Sequence, residues 1–251
     1  MAKRLKTITA GRLVVVGCYT IPTPRSTERE RTALREISSA AQMTINANRS
    51  WQRLELLLAA NFGRRDLHVV LTYDDEHLPA NRQAAVKRVR KMLPQLRAVR
   101  KSRGQELKYI YVTEQLSSEG GRLHHHLIIN GTGADLDVLR SLWPYGEVEL
   151  ETWQGYEALA KYLTKEPREL GKPEVGARNW AASLGLKKPK VESEIVKDNL
   201  TVAAPPGAVI LSAPPPVRNE FGEFVMLKYY LPIKKKEEKK GTRPPRRRKR
   251  K

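Results

Sequence analysis

The stretch Leu107–Asn130, LKYIYVTEQLSSEGGRLHHHLIIN, decides the fold. Leu107–Thr113 alternates between apolar and polar residues as a half-buried strand does, and Leu123–Asn130 is a second strand-like run. Ser117–Gly121, between the two runs, consists of residues that favour turns. The stretch therefore predicts a hairpin within an antiparallel sheet.

The rest of the chain supplies further strands and the helices that cover them. Met1–Arg12 is basic and shows no periodicity. Additional strands are predicted at Leu13–Tyr19, Asp66–Tyr73 and Gly146–Thr152. Helices are predicted from Ser26 or Thr27 to Phe62, over Asn81–Arg103 with an interruption at Pro94, and over Asp135–Trp143 and Gly155–Lys165. This order predicts an α+β fold in which helices pack against a central antiparallel sheet.

The chain divides into four predicted parts. Residues 1–62 form an N-terminal strand and helical segment, and residues 63–190 form the domain that holds the sheet. Residues 191–233 are predicted to be a Pro-rich linker with a possible last strand at Phe221–Leu231. Residues 234–251 are expected to be a disordered basic tail.

Charge is the strongest global signal. The 251 residues include 47 Lys or Arg and 27 Asp or Glu, which gives a net charge of +20. The tail has 12 Lys or Arg and two Glu, so half of the excess lies there and half in the body. Such a chain is expected to bind nucleic acid, although a generally basic surface, or a tail kept for solubility, explains the same numbers.

The sequence also limits where the protein is expected to act. No apolar run approaches the roughly 18 residues of a membrane span, so no membrane partner is expected. The single cysteine, Cys18, excludes an intrachain disulfide. A cytoplasmic location follows as an expectation.

Three consecutive histidines point to a metal site. Because side chains alternate along a strand, His124 and His126 project to one side and His125 to the other. The first two are about 6–7 Å apart at their bases and can converge on one ion. Glu114, across the predicted hairpin, is a candidate third ligand, with Glu119 in the turn as its competitor. A polar strand edge or adventitious metal binding is the alternative.

Two imidazoles and one carboxylate would leave coordination positions open for a substrate. Mg²⁺ or Mn²⁺ is the expected cofactor if that substrate is a phosphodiester. On the last predicted helix, Tyr162 and Lys165 share one face, where a cation can favour a tyrosine nucleophile. A half-buried Tyr beside a solvated Lys is the plainer interpretation.

Taken in order, these motifs resemble those of the HUH superfamily, and most of all its rolling-circle replication initiators. Val69–Glu76 (VVLTYDDE) is similar to the first motif of that family, Arg122–Ile128 to its histidine–hydrophobic–histidine motif, and Tyr162–Lys165 to its nucleophile helix. The resemblance covers residues 48–190, and it includes Trp51-Gln52-Arg53 and Arg178-Asn179.

The chain departs from the family pattern at a few positions. Leu123 replaces the usual Pro, and His125 replaces a bulky residue. Ala158 occupies the place where some relatives carry a second tyrosine, and Tyr156 lies about 240° around the helix from Tyr162. The resemblance therefore implies a single-tyrosine enzyme.

The resemblance implies an RRM-like palm and a metal-dependent endonuclease that nicks and rejoins single-stranded or hairpin origin DNA. Tyr162 would form a 5′-phosphotyrosine, Lys165 would stabilise the transferring phosphoryl group, and Glu114, His124 and His126 would hold the metal ion. A host polymerase and helicase would be partners, since no P-loop is present. The alternatives are a transposase or relaxase of the same superfamily, or a non-catalytic nucleic-acid-binding module.

Overall fold

The computed structural model describes residues 2–21, 39–115, 122–153, 155–165, 180–197, 200–219 and 222–233. Three predictions lie at least partly outside these residues: the start of the first helix, the turn at Ser117–Gly121 and the disorder of residues 234–251.

A five-stranded antiparallel sheet forms the centre of the protein. Its strands are β3 (Leu67–Leu71), β4 (Tyr109–Glu114), β5 (His124–Ile129), β6 (Val148–Glu151) and β7 (Ala181–Ala182). They lie in the order β6-β3-β5-β4-β7, and each pairs antiparallel with its neighbours. The hairpin predicted from the sequence is thus the β4–β5 pair.

Four helices cover the two faces of this sheet. They are α1 (Ser39–Asn61), α2 (Arg82–Ser102), α3 (Leu136–Leu142) and α4 (Tyr156–Leu163). Side chains of α2 and α3 pack in one apolar cluster with one face, while α1 and α4 pack in a second cluster with the other. The predicted α+β architecture is confirmed. Among the described residues, no helix combines the length and apolar character needed to cross a membrane.

Alternation along β5 determines which helices each of its side chains meets. Leu127 and Ile129 belong to the cluster with α2 and α3, whereas Ile128 belongs to the cluster with α1 and α4. Even-numbered residues of β5 therefore face α4 and odd-numbered residues face α2. This parity decides the surroundings of the three histidines.

A second, six-stranded sheet combines segments from both sides of the first. Its order is β10-β11-β2-β1-β8, with β9 also pairing to β11. The strands are β1 (Lys3–Ala10), β2 (Leu13–Thr20), β8 (Lys190–Val196), β9 (Val209–Ser212), β10 (Val217–Asn219) and β11 (Gly222–Tyr230).

Strand β1 was not expected, because Met1–Arg12 appeared to have no periodicity. It pairs with β2 along its whole length, from Lys3 opposite Thr20 to Ala10 opposite Leu13. The turn between them requires a glycine: Gly11 has a φ of 60°, and a Cβ there would lie 2.4 Å from the carbonyl oxygen of Ala59 in α1.

The Pro-rich stretch also differs from the expectation of a linker with one strand. Its prolines, Pro205, Pro206 and Pro214–Pro216, lie outside β9 and β10 rather than within them. Proline cannot donate a hydrogen bond to a sheet, so this placement leaves the short strands between the prolines free to pair.

Helix α2 runs through Pro94 without the predicted interruption. Pro94 is exposed, so water can reach the carbonyl group that loses its partner, while Leu93 and Leu96 on either side are buried. Asn81 caps the start of the helix, where its side chain accepts a hydrogen bond from the Ala84 amide at 2.9 Å.

A buried ion group joins the second sheet to the helices. Lys228 of β11 has 6% of its surface exposed, and its Nζ lies 2.5 Å from Glu55 Oε1 and 2.6 Å from Glu157 Oε2. Glu55 belongs to α1 and Glu157 to α4. One ammonium group thereby links β11 to both helices on the α4 side of the central sheet.

Candidate metal centre

The register of the β4–β5 hairpin brings three candidate ligands together. Glu114 is directly opposite His124, and Val112 is opposite His126. By the parity of β5, both histidines face α4, and the carboxylate joins them from the neighbouring strand. No shift of register separates these pairs, so the strand sequence alone fixes the grouping.

The three side chains meet at one carboxylate oxygen. Glu114 Oε2 lies 3.2 Å from His124 Nε2 and 3.0 Å from His126 Nε2, and the candidate ligand atoms all lie within 4.8 Å of one another. Glu114 and His126 are buried, with 2% and 1% of their side chains exposed, whereas His124 is 21% exposed. The group can hold a metal ion and opens to solvent beside His124.

Electrostatics favour an ionised carboxylate at this position. Burial raises the pKa of Glu114, but hydrogen bonds with His124 and His126 outweigh it and lower the pKa to about 2. Burial lowers the pKa of His124, but its hydrogen bonds with Glu114 and the Arg122 carbonyl outweigh it and raise the pKa above 6.5. The carboxylate is therefore available as a ligand, and a proton competes with a cation at His124.

His125 faces the other side of the sheet, as strand alternation predicts. Its Nδ1 lies 2.8 Å from Thr113 Oγ1, its Nε2 lies 2.7 Å from the Tyr73 hydroxyl, and its ring packs edge-on against Trp143. Burial lowers the pKa of His125 to about 3. Both ring nitrogens are thus engaged in the core, away from the ligand group.

Helix α4 places Tyr162 over the ligand group. The Tyr162 ring centroid lies 5.0 Å from that of His126, at an interplanar angle of 75°. Tyr156, six residues earlier, instead donates a hydrogen bond from its hydroxyl to the Phe62 carbonyl at 2.7 Å. Of the two tyrosines on α4, Tyr162 contacts the histidines and Tyr156 is anchored elsewhere.

Lys165 lies between the helix and the carboxylate. Its Nζ is 4.4 Å from the centre of the Tyr162 ring and 3.5 Å from Glu114 Oε1. The structure therefore brings all five predicted site residues together: Glu114, His124, His126, Tyr162 and Lys165. Glu119, the alternative ligand, lies outside the described residues.

One residue of this neighbourhood was missed in the sequence. His68 of β3 is buried, and its Nε2 lies 3.1 Å from His126 Nδ1. Burial, with a smaller contribution from His126, lowers the pKa of His68 to about 4. The signal was present: Val70 pairs with His126, and His68, two residues before Val70, shares its face of the sheet.

Comparison with known proteins gives one family for this part of the chain. Residues 66–167 match the replication-associated protein ORF2 family. That segment runs from the residue before β3 to just beyond Lys165, so it contains every residue of the group described above. The match to this replication-associated family confirms the resemblance seen in the sequence and is consistent with a rolling-circle replication initiator. No curated protein and no solved structure matches the chain.

Proposed function

We propose that the protein is a rolling-circle replication initiator that nicks and rejoins single-stranded DNA at an origin. The contact between Tyr162 and His126 carries this proposal, since it places a candidate nucleophile against a candidate metal ligand. The match of residues 66–167 to a replication-associated family supports it from an independent direction.

In the proposed reaction, the Tyr162 hydroxyl gives up its proton and its oxygen attacks the scissile phosphorus. A phosphotyrosine bond to the 5′ end forms as the bond from phosphorus to the 3′ oxygen breaks, and the departing 3′ oxygen takes up a proton. Attack by a 3′-hydroxyl on the phosphotyrosine reverses these changes. One phosphodiester-type bond is exchanged for another, so rejoining needs no ATP.

Lys165 is proposed to act on the phosphate that is transferred. Its ammonium group is close to both the Tyr162 ring and Glu114, so it can favour a phenolate and offset negative charge on the phosphoryl oxygens. Its position next to the carboxylate also holds the cation on the ligand side of α4. We therefore assign Lys165 to charge stabilisation rather than to DNA affinity.

The proposed cofactor is Mg²⁺ or Mn²⁺, held by Glu114, His124 and His126. The donor set fits such an ion: one ionised carboxylate and two imidazoles converge, and one edge of the group is open to substrate. A divalent ion bound there would polarise the scissile phosphate.

The surface of α2 supplies a candidate path for DNA phosphates. This helix contains no Asp or Glu, and five of its cations are exposed: Lys87, Arg90, Lys91, Arg97 and Lys101. Because α2 packs on the face of the sheet opposite to α4, these residues lie behind the site. We propose that they add affinity for nucleic acid without touching the reacting phosphate.

The decisive experiment is a search for a covalent protein–DNA adduct. The full chain is incubated with single-stranded oligonucleotides and Mn²⁺, and products resistant to SDS are resolved by electrophoresis. The wild-type chain is expected to form an adduct and Tyr162→Phe is expected to form none. Tyr156→Phe is the matched control and should retain the adduct. DNA binding by the wild type without any adduct would instead support a non-catalytic binding module.

A further inference from the structure

His68 is a buried titratable residue that the proposed reaction does not use. It lies in β3 with 3% of its surface exposed, on the same face of the sheet as His126. The two rings are 5.2 Å apart between centroids and tilted by 46°, and a single short contact joins His68 Nε2 to His126 Nδ1 at 3.1 Å. The His68 ring also approaches Tyr162, at 6.5 Å between centroids.

The second nitrogen of His126 already has a defined direction. His126 Nε2 points to Glu114 Oε2 at 3.0 Å, on the side where the candidate ligand atoms converge. An imidazole nitrogen that binds a cation cannot also carry a proton, so the proton of a neutral, ligating His126 must be on Nδ1. A buried N–H group needs an acceptor, and the atom opposite Nδ1 is His68 Nε2.

We propose that His68 is a positioning residue for a cation bound by His126. In this role, His68 Nε2 accepts the hydrogen bond from His126 Nδ1–H, which fixes the tautomer with a free lone pair on Nε2. The same contact fixes the rotation of the His126 ring between Glu114 and Tyr162. The proposal rests on the metal site of the proposed function, and it adds a partner from a third strand.

The alternative role for His68 is simply to fill space under α4. Substitutions of graded chemistry separate the two roles. Gln places an amide oxygen close to the position of the imidazole Nε2 and can accept the hydrogen bond. Leu fills volume without an acceptor, and Asn is polar but too short to reach Nδ1. His125→Gln is the matched control, because His125 is a buried histidine of the opposite face.

The test is a calorimetric titration of the full chain with Mn²⁺, together with thermal unfolding of the metal-free variants. His68→Leu and His68→Asn should weaken Mn²⁺ binding by roughly 10–100-fold, as loss of a ligand's hydrogen-bond partner typically does. His68→Gln should recover most of the affinity, and His125→Gln should leave it unchanged. The ranking must hold among variants whose melting temperatures agree.

The outcomes distinguish this inference from the proposed function. Equal Mn²⁺ affinity in the wild type and all His68 variants would overturn the role of His68 and leave the nuclease proposal intact. Equal losses in the Gln and Leu variants would show that the imidazole bulk matters rather than its acceptor, which also overturns it. Absence of Mn²⁺ binding by the wild-type chain would overturn both the positioning role and the metal site.

Discussion

Lys165 Nζ lies 3.5 Å from Glu114 Oε1, so a cation at the end of α4 meets the carboxylate at the end of β4. The two residues are 51 positions apart in the chain. Their contact brings the helix with the proposed nucleophile onto the strand with the proposed ligand. It also has an electrostatic consequence, because Lys165 and a bound divalent ion would share the same carboxylate.

Replacing Lys165 should therefore separate catalysis from metal binding. In Lys165→Met, loss of a cation beside the transferring phosphate is expected to slow adduct formation by roughly 10²–10³-fold. Mn²⁺ affinity should be equal or higher, because a positive charge beside Glu114 is removed. Single-turnover adduct kinetics and calorimetry measure the two quantities. A parallel loss of both would mean that Lys165 supports the ligand group rather than the reaction.

Mn²⁺ binding should depend on pH through His124. Its pKa is raised above 6.5, so a proton occupies the ligand below that pKa and leaves as the pH rises through it. Glu114, whose pKa is about 2, is ionised throughout this range. Mn²⁺ affinity should thus increase from about pH 6 to pH 8. Since Glu114 raises the pKa of His124, Glu114→Gln should bind Mn²⁺ more weakly and shift the transition to lower pH. An affinity independent of pH in the wild type would contradict the assignment of His124.

The adjacent histidines should separate site from core. His126→Ala removes a candidate ligand and is expected to abolish adduct formation and to weaken Mn²⁺ binding. His125→Ala leaves Thr113 and Tyr73 without their buried partner, so it should lose roughly 1–3 kcal/mol of unfolding free energy. Below its melting temperature, His125→Ala should still form the adduct. Urea denaturation and the adduct assay on the same preparations check both expectations.

Breaking the buried ion group at Lys228 should destabilise the protein more than a surface pair would. Lys228→Met leaves the Glu55 carboxylate buried without its cation, which typically costs about 3–5 kcal/mol. Burial already raises the pKa of Glu55 despite Lys228, so the variant should be least stable at high pH, where the carboxylate must ionise. The double variant Lys228→Met, Glu55→Gln should recover part of the loss. Urea denaturation at two pH values tests the ranking.

Charge reversal on α2 should affect DNA affinity alone. Lys91→Glu with Arg97→Glu is expected to weaken binding to all single-stranded sequences alike and to flatten the dependence of log K on log salt concentration. Removal of one phosphate contact should reduce that slope by roughly 0.7. Adduct formation at saturating DNA should be unchanged. A loss confined to one sequence would indicate that α2 reads the origin.

The sequence predicts the candidate site better than it predicts the full sheet architecture. Strand alternation and one hairpin were sufficient to group Glu114 with His124 and His126 and to send His125 to the other face, because these relations are local in the chain. His68 comes from β3, whose register with β5 is a long-range pairing that no local pattern specifies.

The second sheet shows the same limit more strongly. In β1, basic residues occupy alternate exposed positions, as at Arg4 and Lys6, and the charges obscure the alternation. Strands β9 and β10 are short and lie between prolines, so each gains its stability from β11 rather than from its own residues. Pro94 misled in the opposite direction, since burial on one side of α2 outweighs a missing hydrogen bond on the exposed side.

The pairing of β2 with both β1 and β11 has a consequence for how the chain matures. The β1–β2 hairpin is made early during synthesis, but one of its edges pairs with β8 and the other with β11, which are completed only at residues 196 and 230. Until then, both edges of the hairpin expose unpaired backbone groups. The central sheet, whose strands end at residue 182, can close first. The last strands synthesised therefore complete a sheet begun by the first, and folding of the outer sheet must wait for nearly the whole chain.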